Sequence, residues 1–164
     1  MLQIIESFLS DEQCDSLIKM IDAHNVRSSV SGTGSDRSVT NNDFRTSSTC
    51  NLFKEDPLVV EVKEKIANLI GYPIEMGEDL QGQKYEPGQF FKPHYDFFEG
   101  DSYTNHCLAS GNRTKTVMIY LNDDFKGGGT NFPDIKKHIK AKKGSVLIWD
   151  CLLYTSDAAD EKVR

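Results

Sequence analysis

Residues 89–98, QFFKPHYDFF, place a histidine and an acid two positions apart among several aromatic side chains. If this segment is a strand, alternate side chains share a face, so His94 and Asp96 point to one side. Phe91, Tyr95 and Phe97 then point to the other side. An imidazole and a carboxylate on one face are two possible ligands of a metal ion. A single His-x-Asp pair also arises by chance, so the interpretation needs support from other residues.

The bulk composition is that of one soluble domain. The chain has 164 residues, of which 38% are hydrophobic and 27% charged, and its formal net charge is −6. This charge argues against nucleic-acid binding. No apolar stretch is long enough for a membrane span and the first residues do not resemble a signal peptide, so we expect a cytoplasmic protein. The four cysteines are far apart and form no C-x-x-C pair, which favours free thiols.

The order of elements predicts an α+β fold. Ser10 followed by Gln13 is a capping box that opens a first helix, and Asp56-Pro57 opens a second helix that ends near Gly71. The Ser-, Asn- and Gly-rich residues 28–49 between them are predicted to be irregular. From about residue 79 the pattern changes to short strands separated by Gly and Pro turns. We therefore expect helical support over about 1–75 and a β-barrel over about 79–150.

Several ordered motifs accompany the opening segment: RTS (45–47), YEPGQFFKPHYD (85–96), GNRTKTVMIYLN (111–122), GGGTNFP (127–133) and KKGSVLIWD (142–150). Together they resemble the prolyl 4-hydroxylase family, the alpha-subunit catalytic domain type, among the iron(II)- and 2-oxoglutarate-dependent dioxygenases. The resemblance covers residues 1–150. It implies a double-stranded β-helix, that is, a jelly-roll or cupin-like barrel.

The resemblance also implies roles for individual residues. These are His94 and Asp96 as iron(II) ligands, Tyr85 and Thr130 as 2-oxoglutarate contacts, and Arg113, Phe91 and Glu78 in the substrate groove. It implies iron(II), 2-oxoglutarate, O₂ and ascorbate as cofactors and co-substrates. The expected reaction is hydroxylation of a C–H bond, in a peptidyl proline or a free amino acid.

The sequence departs from the family pattern in two kinds of place. Phe91 stands where relatives usually have a tyrosine, and Gly129 stands where a glutamate is commoner, so the substrate is open. The family also has a second histidine ligand and, about ten residues later, a lysine that pairs with 2-oxoglutarate. After Asp150 the chain has no histidine. None of His24, His106 and His138 matches the missing ligand, and Lys162 is a poor substitute for the lysine.

We therefore expect a family member that is truncated at its C-terminus and inactive. Residues 151–164 resemble translated adapter sequence and are expected to be a non-native tail. The last two barrel strands would then be missing, one from each sheet, and the strand within residues 145–150 would lose a neighbour. Two other classes stay open: a non-catalytic jelly-roll binding module, and a different metalloprotein on a cupin-like barrel.

Overall fold

A computed structural model of the chain describes residues 1–31, 38–108 and 111–158. The helices are α1 (Asp11–His24), α2 (Pro57–Ile70) and α3 (Gly100–His106), with 3₁₀ turns at Ile74–Met76 and Pro133–Ile135. The strands are β1 (Leu2–Ile5), β2 (Val26–Arg27), β3 (Val30–Ser31), β4 (Ser38–Val39), β5 (Ser48–Asn51), β6 (Gln81–Lys84), β7 (Phe90–His94), β8 (Lys115–Ile119), β9 (Thr130–Phe132), β10 (Lys137–Ile139), β11 (Val146–Asp150) and β12 (Thr155–Ala158).

The two long helices begin and end at the residues that the sequence indicated. The Ser10 hydroxyl accepts from the Gln13 N–H and the Gln13 side chain accepts from the Ser10 N–H, which completes the capping box of α1. The Asp56 carboxylate caps α2, and Gly71 ends that helix with a left-handed φ of 72°. Glycine adopts this conformation without the steric cost that a Cβ atom brings.

The strands form two antiparallel sheets that face each other, with smaller sheets beside them. One main sheet has the order β1-β11-β8 and the other β10-β9-β12-β7; the smaller ones are β2-β5-β6 and β3-β4. Phe132 of β9 packs against Leu147 and Trp149 of β11 across the interior. This arrangement confirms the predicted α+β architecture with a two-sheet barrel.

A second apolar cluster attaches the helices to the barrel. Leu17 and Ile21 of α1 and Val59 and Val62 of α2 are buried in it. Gly82 of β6 lies so close to α1 that an added Cβ would be 2.2 Å from the Ile21 side chain. The helical layer therefore fixes the position of β6 and of the segment that follows it.

The C-terminal strand differs from the sequence-based expectation. We predicted one missing strand in each sheet, but residues Thr155–Ala158 form β12, which lies between β7 and β9 and pairs with both. Both flanking strands present backbone N–H and C=O groups there, and satisfying these groups outweighs the weak strand preference of the polar segment.

The prediction that the strand within residues 145–150 loses a neighbour is wrong, because β11 is central. It pairs with β8 on one side and with the N-terminal strand β1 on the other. In the described part of the chain β8 is an edge strand of this sheet, and β6 is an edge strand of the smaller sheet β2-β5-β6; each pairs along one side only.

The connection predicted to be irregular contains regular pieces. Strands β3 and β4 lie within it and β5 begins in it, and β5 pairs with β6 over four residues. The pattern of β5 is polar, so no apolar alternation marked it. Among the described residues, no helix has the length and apolar character needed to cross a membrane.

Candidate active site

His94 and Asp96 lie at the wall of a cavity of about 1670 Å³. His94 is the last residue of β7, whereas Asp96 follows in a bend, so strand alternation does not by itself bring the two together. Their side chains nevertheless converge, with His94 Nε2 3.3 Å from Asp96 Oδ1. The Lys92 carbonyl lies 2.7 Å from His94 Nδ1. Because a carbonyl can only accept, Nδ1 carries a proton and donates it to Lys92, and Nε2 is the ring nitrogen that faces Asp96.

The Asp96 carboxylate is held ionised despite its burial. Burial raises its pKa, but hydrogen bonds from His94 and Thr116 and the electrostatic effects of His94 and Arg113 outweigh burial, so the pKa lies below its usual value. Thr116 Oγ1 donates to Asp96 Oδ2 over 2.6 Å, and Trp149 Nε1 donates to the same oxygen over 3.1 Å. An ionised carboxylate beside an imidazole nitrogen is a donor pair of the kind that divalent metals bind.

Phe91 lies on the same side as His94, which corrects the expectation of opposite faces. The two rings are stacked with centroids 3.7 Å apart and an angle of 22° between their planes. The Arg45 guanidinium covers the other face of Phe91 at 4.4 Å from the centroid. The pairing of β7 with β12 shifts register between Phe91 and His94, so regular alternation is lost and the imidazole lies over the phenyl ring. The result is a three-layer stack of Arg45, Phe91 and His94.

Tyr85 and Thr130 line the same cavity and share a carboxylate neighbour, Asp157. Thr130 is fully buried at the start of β9, and its hydroxyl donates to Asp157 Oδ1 over 2.8 Å. The Tyr120 hydroxyl donates to Thr130 Oγ1, also over 2.8 Å. Burial raises the pKa of Tyr85 above its ordinary value, and the nearby Asp157 carboxylate raises it further.

Arg113 and Glu78 form a two-pronged ion pair at the rim of the site. Arg113 Nε lies 2.5 Å from Glu78 Oε1 and Nη2 lies 2.7 Å from Oε2. Arg113 Nη1 also donates to the Asp96 backbone carbonyl over 3.3 Å, and its guanidinium stacks on Phe98. Glu78 does not line the cavity itself. It reaches the site through Arg113.

The structure brings together two of the three ligands that the resemblance implies. Among the described residues, no group of three or more His, Cys, Asp or Glu side chains is placed to hold a metal ion. His106 stacks on Phe98, and its buried Nε2 has no hydrogen-bond partner. His138 contacts Asn131 and His24 contacts Phe53. Lys162 lies outside the described residues.

Three comparisons with known proteins bear on this site. Residues 80–159 match the family model of the 2OG-Fe(II) oxygenase superfamily. Prolyl 4-hydroxylase 2 of Arabidopsis thaliana is 36% identical over 135 residues, which are 82% of this chain and 44% of that protein. The chain belongs to the 2OG-Fe(II) oxygenase superfamily. It spans less than half the length of this curated relative.

Solved structures of prolyl hydroxylases have the same fold as this chain. The collagen prolyl hydroxylase of Paramecium bursaria Chlorella virus-1, in its 2OG complex, matches with a TM-score of 0.64 and 22% identity. The match covers 98% of this chain and 88% of that one. A Trichoplax adhaerens prolyl hydroxylase, in complex with a hypoxia inducible factor peptide fragment, matches with a TM-score of 0.66 and 16% identity, covering 96% and 77%. The prolyl-hydroxylase resemblance and the double-stranded β-helix are confirmed.

Gly129, one of the departures from the family pattern, is explained by the local backbone conformation. Its φ is +102°, and an added Cβ would lie 2.4 Å from the Ile139 carbonyl oxygen. A glutamate at this position would clash with the backbone unless the turn before β9 changed its path. The glycine therefore belongs to the turn that delivers Thr130 to the cavity.

Four residues that surround the site were not identified as site residues from the sequence: Arg45, Thr116, Trp149 and Asp157. Arg45 belongs to the RTS motif, which is part of the family resemblance, but the resemblance assigned no role to this residue. Thr116 and Trp149 lie on strands whose apolar character indicated core positions. Asp157 lies in the segment expected to be a non-native tail. Spatial proximity across the barrel, which the sequence does not display, brings these four to the site.

Proposed function

We propose that this chain is the core of an iron(II)- and 2-oxoglutarate-dependent dioxygenase that hydroxylates a C–H bond of a peptidyl proline. The observation that carries the proposal is the pairing of His94 Nε2 with Asp96 Oδ1 at 3.3 Å on the wall of a large cavity. The remaining wall carries Tyr85 and Thr130. A donor pair in a concave site with polar groups opposite is the arrangement that a metal and a small co-substrate require.

Each residue has a definite part in this proposal. His94 and Asp96 bind the metal, and Tyr85 and Thr130 orient the 2-oxoglutarate carboxylates through their hydroxyl groups. The metal with 2-oxoglutarate and O₂ supplies the oxidising chemistry, with ascorbate as the external reductant. Arg113, supported by Glu78, and Phe91 form the side of the site that faces the substrate.

The proposed substrate is a peptide that contains proline. The names of the relatives support this class, since one matched structure holds a peptide fragment and others are collagen or prolyl hydroxylases. Phe91 in place of a tyrosine removes a hydroxyl group from this side and favours apolar contact with the substrate. A free amino acid is the alternative substrate.

We further propose that the 164-residue chain itself has little activity. Two metal donors provide less affinity and less fixed geometry than three, and the donor that the family supplies after residue 150 has no histidine counterpart in this sequence. The family also has a lysine in that segment that pairs with the distal carboxylate of 2-oxoglutarate, and the described residues 151–158 contain no lysine.

One observation favours a second candidate, a non-catalytic binding module. The Asp157 carboxylate already accepts the hydrogen bond from Thr130 that the proposal gives to 2-oxoglutarate. If that contact persists, the chain keeps the barrel and the groove and excludes the co-substrate.

Metal binding and succinate formation distinguish the two candidates. We expect calorimetry with Mn²⁺ to detect weak binding that Asp96→Ala abolishes, and a succinate assay with a proline-rich peptide to detect slow, Asp96-dependent turnover. Asp101→Ala, which removes an exposed carboxylate of α3, is the matched control and is expected to behave like the unmodified chain. Equal metal binding and equal turnover in the unmodified chain and Asp96→Ala would refute the proposed enzymatic function and favour the non-catalytic binding module.

A further inference from the structure

The two oxygens of Asp96 have different surroundings. Oδ2 accepts hydrogen bonds from Thr116 Oγ1 at 2.6 Å and from Trp149 Nε1 at 3.1 Å. Oδ1 instead lies 3.3 Å from His94 Nε2. One oxygen therefore accepts two hydrogen bonds from the opposite sheet, and the other lies beside the His94 imidazole.

The two donors come from the opposite sheet and are fixed relative to each other. Thr116 of β8 and Trp149 of β11 are directly paired across the antiparallel ladder. Side chains of directly opposed residues lie on the same face with their Cβ atoms about 5 Å apart. Trp149 is buried against Phe132, so its indole has little freedom to move. The pairing register thus aims a hydroxyl and an indole N–H at one carboxylate oxygen.

A third group orients the Thr116 hydroxyl. Cys151 Sγ lies 3.3 Å from Thr116 Oγ1. Burial raises the pKa of the Cys151 thiol, which keeps it protonated. The single Thr116 proton is already donated to Asp96, so the thiol is the donor in the Cys151–Thr116 contact. The Thr116 hydroxyl then has one orientation only.

We infer that Thr116 and Trp149 are positioning residues that make Asp96 a one-oxygen ligand, presenting Oδ1 beside His94 Nε2. The inference rests on the proposed function and names residues to which neither the motifs nor the comparisons give a role. Without the Thr116 hydroxyl, Oδ2 loses its shortest hydrogen bond and the carboxylate can rotate. Partners of this kind typically contribute about 10- to 100-fold to metal affinity.

Trp149 also provides an NMR probe of metal binding, because it is the one tryptophan in the sequence. In the ¹⁵N-labelled chain its indole N–H gives a single NMR cross-peak, and paramagnetic Mn²⁺ bound at Asp96 broadens that peak. We expect Thr116→Val, which removes the hydroxyl and keeps the shape, to need roughly 10- to 100-fold more Mn²⁺ for the same broadening. Thr116→Ser, which restores a hydroxyl, is expected to follow the unmodified chain.

Two further variants complete the design. Thr114→Val makes the same change at an exposed threonine just before β8 and is expected to have no effect on the titration. Asp96→Ala is expected to remove the site-specific broadening. In the metal-free protein it also shifts the indole proton upfield, because the hydrogen bond to Oδ2 is lost.

The outcomes separate this inference from the proposed function. Metal binding that depends on Asp96 but is equal in Thr116→Val and Thr116→Ser overturns the positioning role and leaves the metal site intact. Broadening that is the same with and without the Asp96 carboxylate overturns the metal site itself. An indole proton that does not move in metal-free Asp96→Ala overturns the contact from Trp149.

Discussion

The Thr130 hydroxyl donates a hydrogen bond of 2.8 Å to the Asp157 carboxylate, inside the cavity that also holds His94 and Asp96. This contact joins the start of β9 to β12. It engages a hydroxyl that the proposed reaction assigns to the co-substrate. An internal carboxylate and the carboxylate of 2-oxoglutarate then compete for one donor.

Removal of Asp157 is therefore expected to improve binding of 2-oxoglutarate. In Asp157→Ala, Thr130 is free to donate to the ligand, and a nearby negative charge is lost. We expect the affinity to rise on the order of 3- to 10-fold, the equivalent of one hydrogen bond. Calorimetry with the non-reactive analogue N-oxalylglycine measures this in the presence of Mn²⁺. Asp134→Ala, at an exposed position, is the control; an unchanged affinity in Asp157→Ala would contradict the competition.

The same carboxylate is expected to give the fold a pH dependence. Burial raises the pKa of Asp157, and its surroundings include Asp96, which raises it, and His94, Arg45 and Thr130, which lower it. Between the unfolded and the folded pKa, the folded state binds more protons, so stability falls as pH rises through that window. In Asp157→Asn the side chain does not ionise, so the variant does not lose stability as pH rises through this window.

Thermal unfolding at several pH values tests this expectation. Asp157→Asn is expected to melt a few degrees higher than the unmodified chain at pH 7, since each kcal/mol corresponds to about 2–4 °C in a chain of this size. The difference should vanish near pH 3, where the carboxyl is protonated in both states. A difference that stays constant over the whole pH range would mean that ionisation of Asp157 does not cause it.

Much of the fold could be predicted from local chemistry. The Ser10–Gln13 capping box, the Asp56-Pro57 start and the Gly71 end each depend on residues close in sequence, so a single sequence shows them. The strand order could not be predicted in the same way. β12 is polar and short, and it becomes a strand because β7 and β9 offer backbone partners on both sides, which is a property of the assembled sheet.

In the candidate site, too, features that depend on residues close in sequence could be predicted, and contacts made across the barrel could not. His94 and Asp96 were visible as a motif, although the bend after β7, and not strand alternation, makes them converge. The donors to Asp96 were not visible, because Thr116 and Trp149 are far from it in sequence and meet it only across the barrel. Phe91 was assigned to the wrong face because a register shift between β7 and β12, from Phe91 to His94, interrupts the alternation within the strand.

The Arg113–Glu78 ion pair is expected to contribute more to substrate binding than to the free energy of unfolding. The Glu78 side chain is 63% exposed, and ion pairs of this kind contribute at most about 1 kcal/mol. Arg113→Lys loses the two-pronged geometry and Glu78→Gln loses the charge, so both should weaken binding of a labelled proline-rich peptide in fluorescence anisotropy. Glu55→Gln, at another exposed glutamate, should not. Equal peptide affinity in all four proteins would remove this pair from the groove.

The thiols are expected to be unreactive in the folded protein. All four cysteines are free and buried, and burial raises the pKa of Cys14, Cys50 and Cys151, which leaves little thiolate at pH 7. Ellman's reagent should react slowly with the native chain and rapidly with four thiols in guanidinium chloride. A native thiol that reacts as fast as free cysteine would show that one of these side chains is accessible.

The last prediction concerns the open edges of β8 and β6. In the part of the chain that the structure describes, β8 pairs only with β11 and β6 only with β5, and both border the large cavity. Unpaired strand edges beside apolar side chains favour pairing between molecules. We therefore expect the 164-residue chain to form oligomers whose size increases with concentration, as measured by size-exclusion chromatography with light scattering.

A lysine at such an edge is expected to reduce this association, because a charge buried between paired edges is costly. Val117 of β8 is half-buried at the cavity, so Val117→Lys should shift the chain toward the monomer. Val60→Lys, on the exposed side of α2, makes the same change away from both edges and should oligomerise like the unmodified chain. Circular dichroism verifies that each variant is folded. A monomeric unmodified chain with a sharp thermal transition at high concentration would contradict this prediction. The edges of β8 and β6 would then not pair between molecules, because the side chains of the cavity shield them.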